Sequence, residues 1–332
     1  MNINTRKCKR KNFHNLMARI YSPNITNDGL ILGLDAESVR SYSGTGTNWT
    51  DLSPKNYPNV DMNNSMSAAS NYVAATSSSP AYFEFDNDES EYFTPGTDAI
   101  GTDGVTPKTG TFELWFYMTG AGKVFGITGP DSRPAFAVAI GNELYANYID
   151  NALDISIPMY LGGPIVREGY QTSLNRPVSD VYFNEDGTLV PLSSINASTI
   201  EDVVLASGRN FQPLLNQWVH LAITYEAGNE ISYIGNVDGP GSNEYGMDGT
   251  TGDPTIWYIN GKKRFKSYVA ELTWDWVGSS WRIGSSQWSP NAPQDSDANS
   301  VTRISQFRMY NRILSESEVS SNYDALKRRY GH

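Results

Sequence analysis

Two stretches of this chain alternate apolar and other side chains with a period of two, and that period restricts the fold more than any other feature. Within residues 111–119, Phe112, Leu114, Phe116 and Met118 share one face, while Glu113, Trp115 and Tyr117 share the other. Within residues 217–225, Val219, Leu221, Ile223 and Tyr225 alternate in the same way with Trp218, His220, Ala222 and Thr224. Successive side chains of a strand point to opposite faces, so both stretches predict half-buried strands. Asn260-Gly261 supplies the two left-handed residues of a type I′ turn, which predicts a hairpin of residues 255–259 with 262–265.

The last thirty residues read differently, as a strand, a tight connection and a helix over residues 316–330. Ser315 followed by Glu318 is a capping box: the serine oxygen accepts from the Glu318 N–H, and the glutamate reaches back to the N–H of Ser315. Val319, Tyr323, Leu326 and Tyr330 fall on one helical face. Lys327, Arg328 and Arg329 sit at the negative end of the dipole, and Gly331 ends the helix. Many short strands with one terminal helix predict an all-β sandwich of two antiparallel sheets. At 332 residues the chain is long for one such unit. We expect a single sandwich over residues 28–332 with loop-rich insertions near 150–216 and 228–254, preceded by a basic arm over residues 1–27.

Several motifs carry a family resemblance. Residues 28–36 read "DGL-x-L-x-LDA", residues 42–53 "Y-x-G-x-G-x-x-W-x-DLS", and residues 310–323 "YNR-x-LS-x-x-EV-x-x-N-Y". Between them lie Phe85-Asp86 with Tyr92, the 112–116 segment, and the 218–225 and 256–261 pair. In this order the chain resembles the concanavalin A-like, laminin-G-like jelly-roll domains of bacteriophage structural proteins. The resemblance implies a jelly-roll sandwich and a virion component, as capsid decoration, fibre or tail-associated protein, present in many copies. It also implies lectin-like capacity for host-surface glycans, with other capsid or tail subunits as partners.

No stretch approaches the ~18 consecutive apolar residues of a membrane helix. The basic start is interrupted by polar residues before an apolar run forms, and the chain has one cysteine, Cys8. The expectation is synthesis in a host cytoplasm without export, and residence in the virion. Charge is uneven: the formal total is −11 and residues 1–19 contribute +6, so residues 20–332 carry −17. The bases of the arm include Arg6, Lys7, Lys9, Arg10 and Lys11, and Phe13, Leu16, Met17 and Ile20 recur at helical spacing. That pattern suits docking on an acidic protein lattice. Nucleic-acid contact is disfavoured by the acidic body, and a solvated extension is the plain alternative.

The chain has no G-x-S-x-G, G-x-G-x-x-G or G-x-x-x-x-G-K-[ST] motif, and its three histidines lie far apart. The run Glu84-Phe85-Asp86-Asn87-Asp88-Glu89 resembles the E-x-D-x-x-E of β-glucanases, where two carboxylates ~5–5.5 Å apart serve a retaining glycosidase. Its polar Asn87 and Asp88 depart from that pattern, so the expectation is a non-enzyme. A glycoside hydrolase and a pure scaffold without glycan affinity remain the alternatives. Calcium is the one cofactor the fold resemblance suggests, with oxygen ligands at Asp86, Asp88, Asp238, Asp248 and Asp253. Trp274, Trp276 and Trp288 offer a stacking platform for sugar rings, whereas Trp281 matches a core strand.

Overall fold

The computed structural model describes residues 25–55, 60–86, 91–95, 109–120, 122–128, 134–141, 152–156, 170–171, 176–177, 181–182, 214–226, 233–236, 245–247, 255–267, 280–285 and 300–332. The fold is all-β, a jelly-roll sandwich of two antiparallel sheets with a short C-terminal helix. Across the larger sheet the order is Val181–Tyr182, Lys262–Ser267, Thr255–Ile259, Trp218–Glu226, Thr109–Met118, Val301–Tyr310, Tyr82–Asp86 and Tyr72–Val73. The smaller sheet runs Ala152–Ser156, Pro134–Gly141, Gly122–Thr128, Ser280–Ile283, Phe93–Pro95, Val60–Met62 and Asn48–Trp49. Strands from the 150–216 segment thus lie at one edge of each sheet.

The predicted alternation sets the inner faces. Phe112, Leu114, Phe116, Val219, Leu221 and Ile223 are fully buried against Phe125, Val138 and Ile283 of the smaller sheet. Aromatic rings bridge the two layers: Phe112 lies 5.1 Å from Phe125, and Phe83 lies 4.6 Å from Phe93 with its edge turned to the other ring. Such pairs add ~0.5–1.5 kcal/mol to the area they bury. Trp49 is buried in the same core. Two residues on, Asp51 accepts from the N–H groups of Gly33 (2.7 Å) and Ser53 (2.8 Å), stapling its loop to the first strand, Leu30–Asp35. The "W-x-DLS" run is therefore a core anchor followed by a hydrogen-bonding carboxylate.

The strand Val301–Tyr310 is shared. Its first half pairs with Tyr82–Asp86 and its second half with Leu30–Asp35, and the register shifts at Ser305 where one neighbour gives way to the other. Ser305 holds the junction: its carbonyl accepts from Ala36 N (2.9 Å), its hydroxyl donates to Ala81 O (2.7 Å) and accepts from the Tyr330 hydroxyl (2.9 Å). A bulge of this kind re-aims the strand without breaking the sheet.

The C-terminal segment begins as expected. Both bonds of the Ser315–Glu318 capping box are present, and Arg312 reinforces them with a two-point ion pair to Glu318. The α-helix is shorter than expected, Glu316–Leu326, and tightens into a 3-10 turn, Lys327–Tyr330, before Gly331 ends it with φ 84°. Lys327, Arg328 and Arg329 lie in the last turn as expected, and Arg329 also ion-pairs with the half-buried carboxylate of Asp35 (2.9 Å). Eleven residues are too few for a stable isolated helix in water, where ~12–15 are needed. Burial of Val319, Leu326 and Tyr330 on the outer face of the larger sheet supplies the difference. Each such side chain gives ~1.5–3 kcal/mol.

That packing corrects one expectation. The strands Thr109–Met118 and Trp218–Glu226 are not half-buried: Glu113, Trp115, His220, Ala222 and Thr224, on the face opposite the core, are also shielded from water. The helix supplies a third layer over them. The hairpin at Asn260-Gly261 forms as expected, with φ of 51° and 73° and Ile259 paired to Lys262. Its tip abuts the helix, and a Cβ added at Gly261 would lie 2.8 Å from Tyr323 Cδ1. Gly261→Ala therefore combines a left-handed strain with a clash and should cost roughly 2 kcal/mol. An unchanged urea midpoint would show that the hairpin tip is not pinned to the helix.

Candidate functional site

Strand register arranges the outer face of the larger sheet into rows. Nearest the start of the helix, Leu30, Tyr310, Thr111, Thr224 and Ile256 are successive cross-strand partners. The next row is Arg308, Glu113, Ala222 and Tyr258, and the third is Gln306, Trp115 and His220. The fourth is Glu84, Arg303, Tyr117 and Trp218. Residues 314–330 cover the first three. Leu314 and Val319 pack on Leu30, Tyr310 and Tyr258; Asn322 reaches Glu113; Leu326 and Tyr330 pack on Trp115. Tyr330 stacks on Trp115 at 3.9 Å and 8°. Beyond Tyr330 the helix stops, and the fourth row is left half-open.

The covered rows hold the most concentrated polar chemistry among the described residues. Glu113 accepts from His220 Nε2 (2.8 Å) through one oxygen. Through the other it accepts from Asn322 (3.0 Å), the Tyr310 hydroxyl (3.3 Å) and Arg308 (3.4 Å). Arg308 also donates to Gln306 Oε1 (2.5 Å), Gln306 to Asp35 (2.7 Å), and Arg329 closes the chain on Asp35. Burial pushes the Glu113 carboxyl up, but His220, Arg308 and Asn322 outweigh it and hold the group below its ordinary range. Burial pushes the Tyr310 hydroxyl up, with the neighbouring carboxylate adding to it. His220 and Glu113 resemble an acid–base pair, yet both are wholly sealed from water and His220 Nδ1 has no hydrogen-bond partner. A proton exchanged there does not reach solvent, and the pair ties two neighbouring strands of one sheet together.

The open row has a different character. Arg303 Nε donates to Glu84 Oε2 at 2.6 Å, and the two side chains remain 28% and 34% exposed. The guanidinium carbon lies 4.8 Å from the Tyr117 ring centre and 5.2 Å from that of Tyr82, a cation–π arrangement on both sides. Trp218 lies 5.8 Å from Tyr117 and 5.7 Å from Tyr82. An ion pair bounded by three half-buried rings thus faces solvent. Sequence alternation placed Tyr117 and Trp218 on this face, but nothing local in the sequence joins them to Arg303 or Glu84.

The residues singled out from sequence fare unevenly. Glu84 is held by Arg303, while Glu89 and Asp88 lie outside the described residues. Asp86 ends its strand on the surface, where its N–H donates to Glu91 (2.9 Å). Among the described residues no group of three or more His, Cys, Asp or Glu is placed to hold a metal ion. Asp238, Asp248, Asp253, Trp274, Trp276, Trp288 and the arm residues 1–20 lie outside the described residues. Trp281 belongs to the strand Ser280–Ile283. Tyr92, from the "FD…Y" landmark, lies beneath Arg282 at 4.2 Å.

Glu113 and Glu318 are both held below the ordinary carboxyl value of 4.5, Glu318 at about 2 chiefly through its bonds from Arg312. The native state therefore binds fewer protons than the unfolded chain in acid. The stability these groups contribute is complete above pH 4.5 and drains away as pH falls towards 2. Urea midpoints measured between pH 7 and 3 should fall accordingly, and the fall should be shallower in Glu318→Gln. Glu113→Ala at pH 7 should cost about 3–5 kcal/mol, because it leaves Arg308 buried without its partner. A loss under 1 kcal/mol would remove Glu113 from its central place.

No family model matches the chain, and no curated protein matches it. Solved structures similar to it include the binding domain of botulinum neurotoxin serotype C1, at 14% identity and a TM-score of 0.44, covering 90% of this chain and 53% of that one. The binding domain of botulinum neurotoxin DC in complex with rat synaptotagmin II is similar at 12% identity and a TM-score of 0.44, covering 90% and 52%. A third, from work on botulinum neurotoxin type C whose cell entry depends on two ganglioside molecules, has 13% identity and a TM-score of 0.44, covering 90% and 52%. The chain spans about half the length of these structures. All three are binding domains or toxin structures of low identity, and the ligands named with them are theirs.

Proposed function

We propose that this chain is a non-catalytic, glycan-binding jelly-roll module carried on a bacteriophage particle. The observation that carries the choice of binding over hydrolysis is the state of Glu84. A glycosidase needs one carboxyl that gives a proton and a second that attacks or activates water. Glu84 instead spends an oxygen on Arg303 at 2.6 Å and lies among aromatic rings, an environment suited to holding a ligand.

The virion role is supported by the sequence resemblance, and the motifs that carry it work together in the fold. The opening "DGL-x-L-x-LDA" strand pairs with Gln306–Tyr310 at the end of the shared strand, with a register shift between Leu30 and Leu32, and Arg312 of the closing motif binds Asp28 (3.0 Å) as well as Glu318. Partners on this reading are capsid or tail subunits in many copies, with the arm of residues 1–19 as the docking element. Its bases suit an acidic lattice, and exposed ion pairs of ~0–1 kcal/mol each hold only in number.

Mass spectrometry and cryo-EM of purified particles should find the chain on the particle in multiple copies. Deleting residues 1–19 should leave the melting temperature unchanged and abolish incorporation, and added salt should weaken attachment of the intact chain. Full incorporation of the truncated chain would place docking on the sandwich. Hydrolysis of a β-glucan that vanishes in Glu84→Gln would replace the whole reading with a glycosidase.

A further inference from the structure

The geometry points to the open row, Glu84, Arg303, Tyr117 and Trp218 with Tyr82 beside it, as a binding site for a neutral pyranose sugar; this rests on the glycan-binding reading above and gives it a place. Arg303 uses only Nε on Glu84 and Glu84 uses only Oε2, so two guanidinium amino groups and one carboxylate oxygen make no hydrogen bond among the described residues. These unused donors and the unused acceptor sit side by side at the surface, on groups fixed in position by the strand register and by the rings on either side.

That pairing selects the ligand's charge. A phosphate, sulfate or carboxylate would satisfy Arg303 but meet Glu84, and an ammonium would do the reverse. A vicinal diol satisfies both: one hydroxyl accepts from Arg303 and its neighbour donates to Glu84 Oε1. The net −17 on residues 20–332 works in the same direction, because it repels polyanionic glycans at long range. The rings of Tyr82, Tyr117 and Trp218 lie about the donor–acceptor pair, Trp218 tilted 58° to Tyr82 and 59° to Tyr117, and add apolar surface with a polar edge. A pyranose offers the complement, a C–H face bordered by hydroxyls. The three rows on one side are closed by residues 314–330, so the sugar lies along the row with its border at Tyr330, which stands 5.3 Å from Trp218.

Affinity electrophoresis of the full chain in gels cast with β-glucan, galactan or mannan, and separately with polygalacturonate, tests this. One of the three neutral polymers should retard the chain. Tyr117→Ala should weaken that retardation about tenfold, the size of one lost aromatic contact. Glu84→Gln, which keeps the side chain's size, should weaken it several-fold with an unchanged melting temperature, so a loss there is not a loss of fold. Full retardation of both variants, with loss in Trp276→Ala or Trp288→Ala, would move the site elsewhere and leave the glycan-binding reading standing. Retardation by polygalacturonate alone would overturn the neutral ligand, and no retardation of the unaltered chain by any polymer would overturn both readings.

Discussion

The buried Glu113 carboxylate is the interaction on which the rest of this structure depends. A charge taken out of water costs several kcal/mol, and it is tolerated only where hydrogen bonds and opposite charge replace the lost solvent. Glu113 finds those replacements on three other elements: His220 on one neighbouring strand, Arg308 and Tyr310 on the other, and Asn322 on the helix. The strands would pair without it. The helix sits where Asn322 reaches the carboxylate while Val319 and Leu326 meet apolar surface. A buried polar network of this kind specifies an arrangement more than it adds stability.

From that placement the functional surface follows. Residues 314–330 close three rows of the outer face and end at Tyr330, anchored on Trp115 and on the bulged Ser305. The fourth row begins where the helix stops. Its composition is that of a layer interface, aromatic rings and an ion pair, with no layer over it among the described residues. The same chemistry that gives the covered rows their packing is what the proposed ligand site in the open row draws on.

Much of this architecture is written locally in the sequence. The period of two marks the strands, Asn260-Gly261 marks the hairpin, and Ser315 with Glu318 marks the helix start, because each is settled by side chains within a few residues of one another. The third layer leaves one local mark: Trp115, on the strand face opposite the core, is too large an apolar surface for a solvated position, and it is wholly buried under Leu326 and Tyr330. What the sequence hid was the pairing of distant residues. His220 and Glu113 are 107 positions apart and Arg303 and Glu84 are 219 apart, and no spacing rule joins them. The candidate ligand row is made of four strands, so it exists only as a product of register.

Register also explains why two carboxylates that invite a catalytic reading have other work. Glu84 falls opposite Arg303 in one row, and Glu113 falls between Arg308 and Ala222 in another, two rows away on the same face. Shifting any of these strands by one residue would turn each charge into the core and each core phenylalanine to the outside, at a cost far larger than any single ion pair. Core packing therefore determines where the charges go, and the charges then accept the partners that position provides. In the covered row both oxygens of Glu113 are taken up by partners and sealed from water. In the open row two amino groups of Arg303 and one oxygen of Glu84 make no hydrogen bond among the described residues, and it is on this unfinished coordination, bounded by rings, that the proposed ligand site rests.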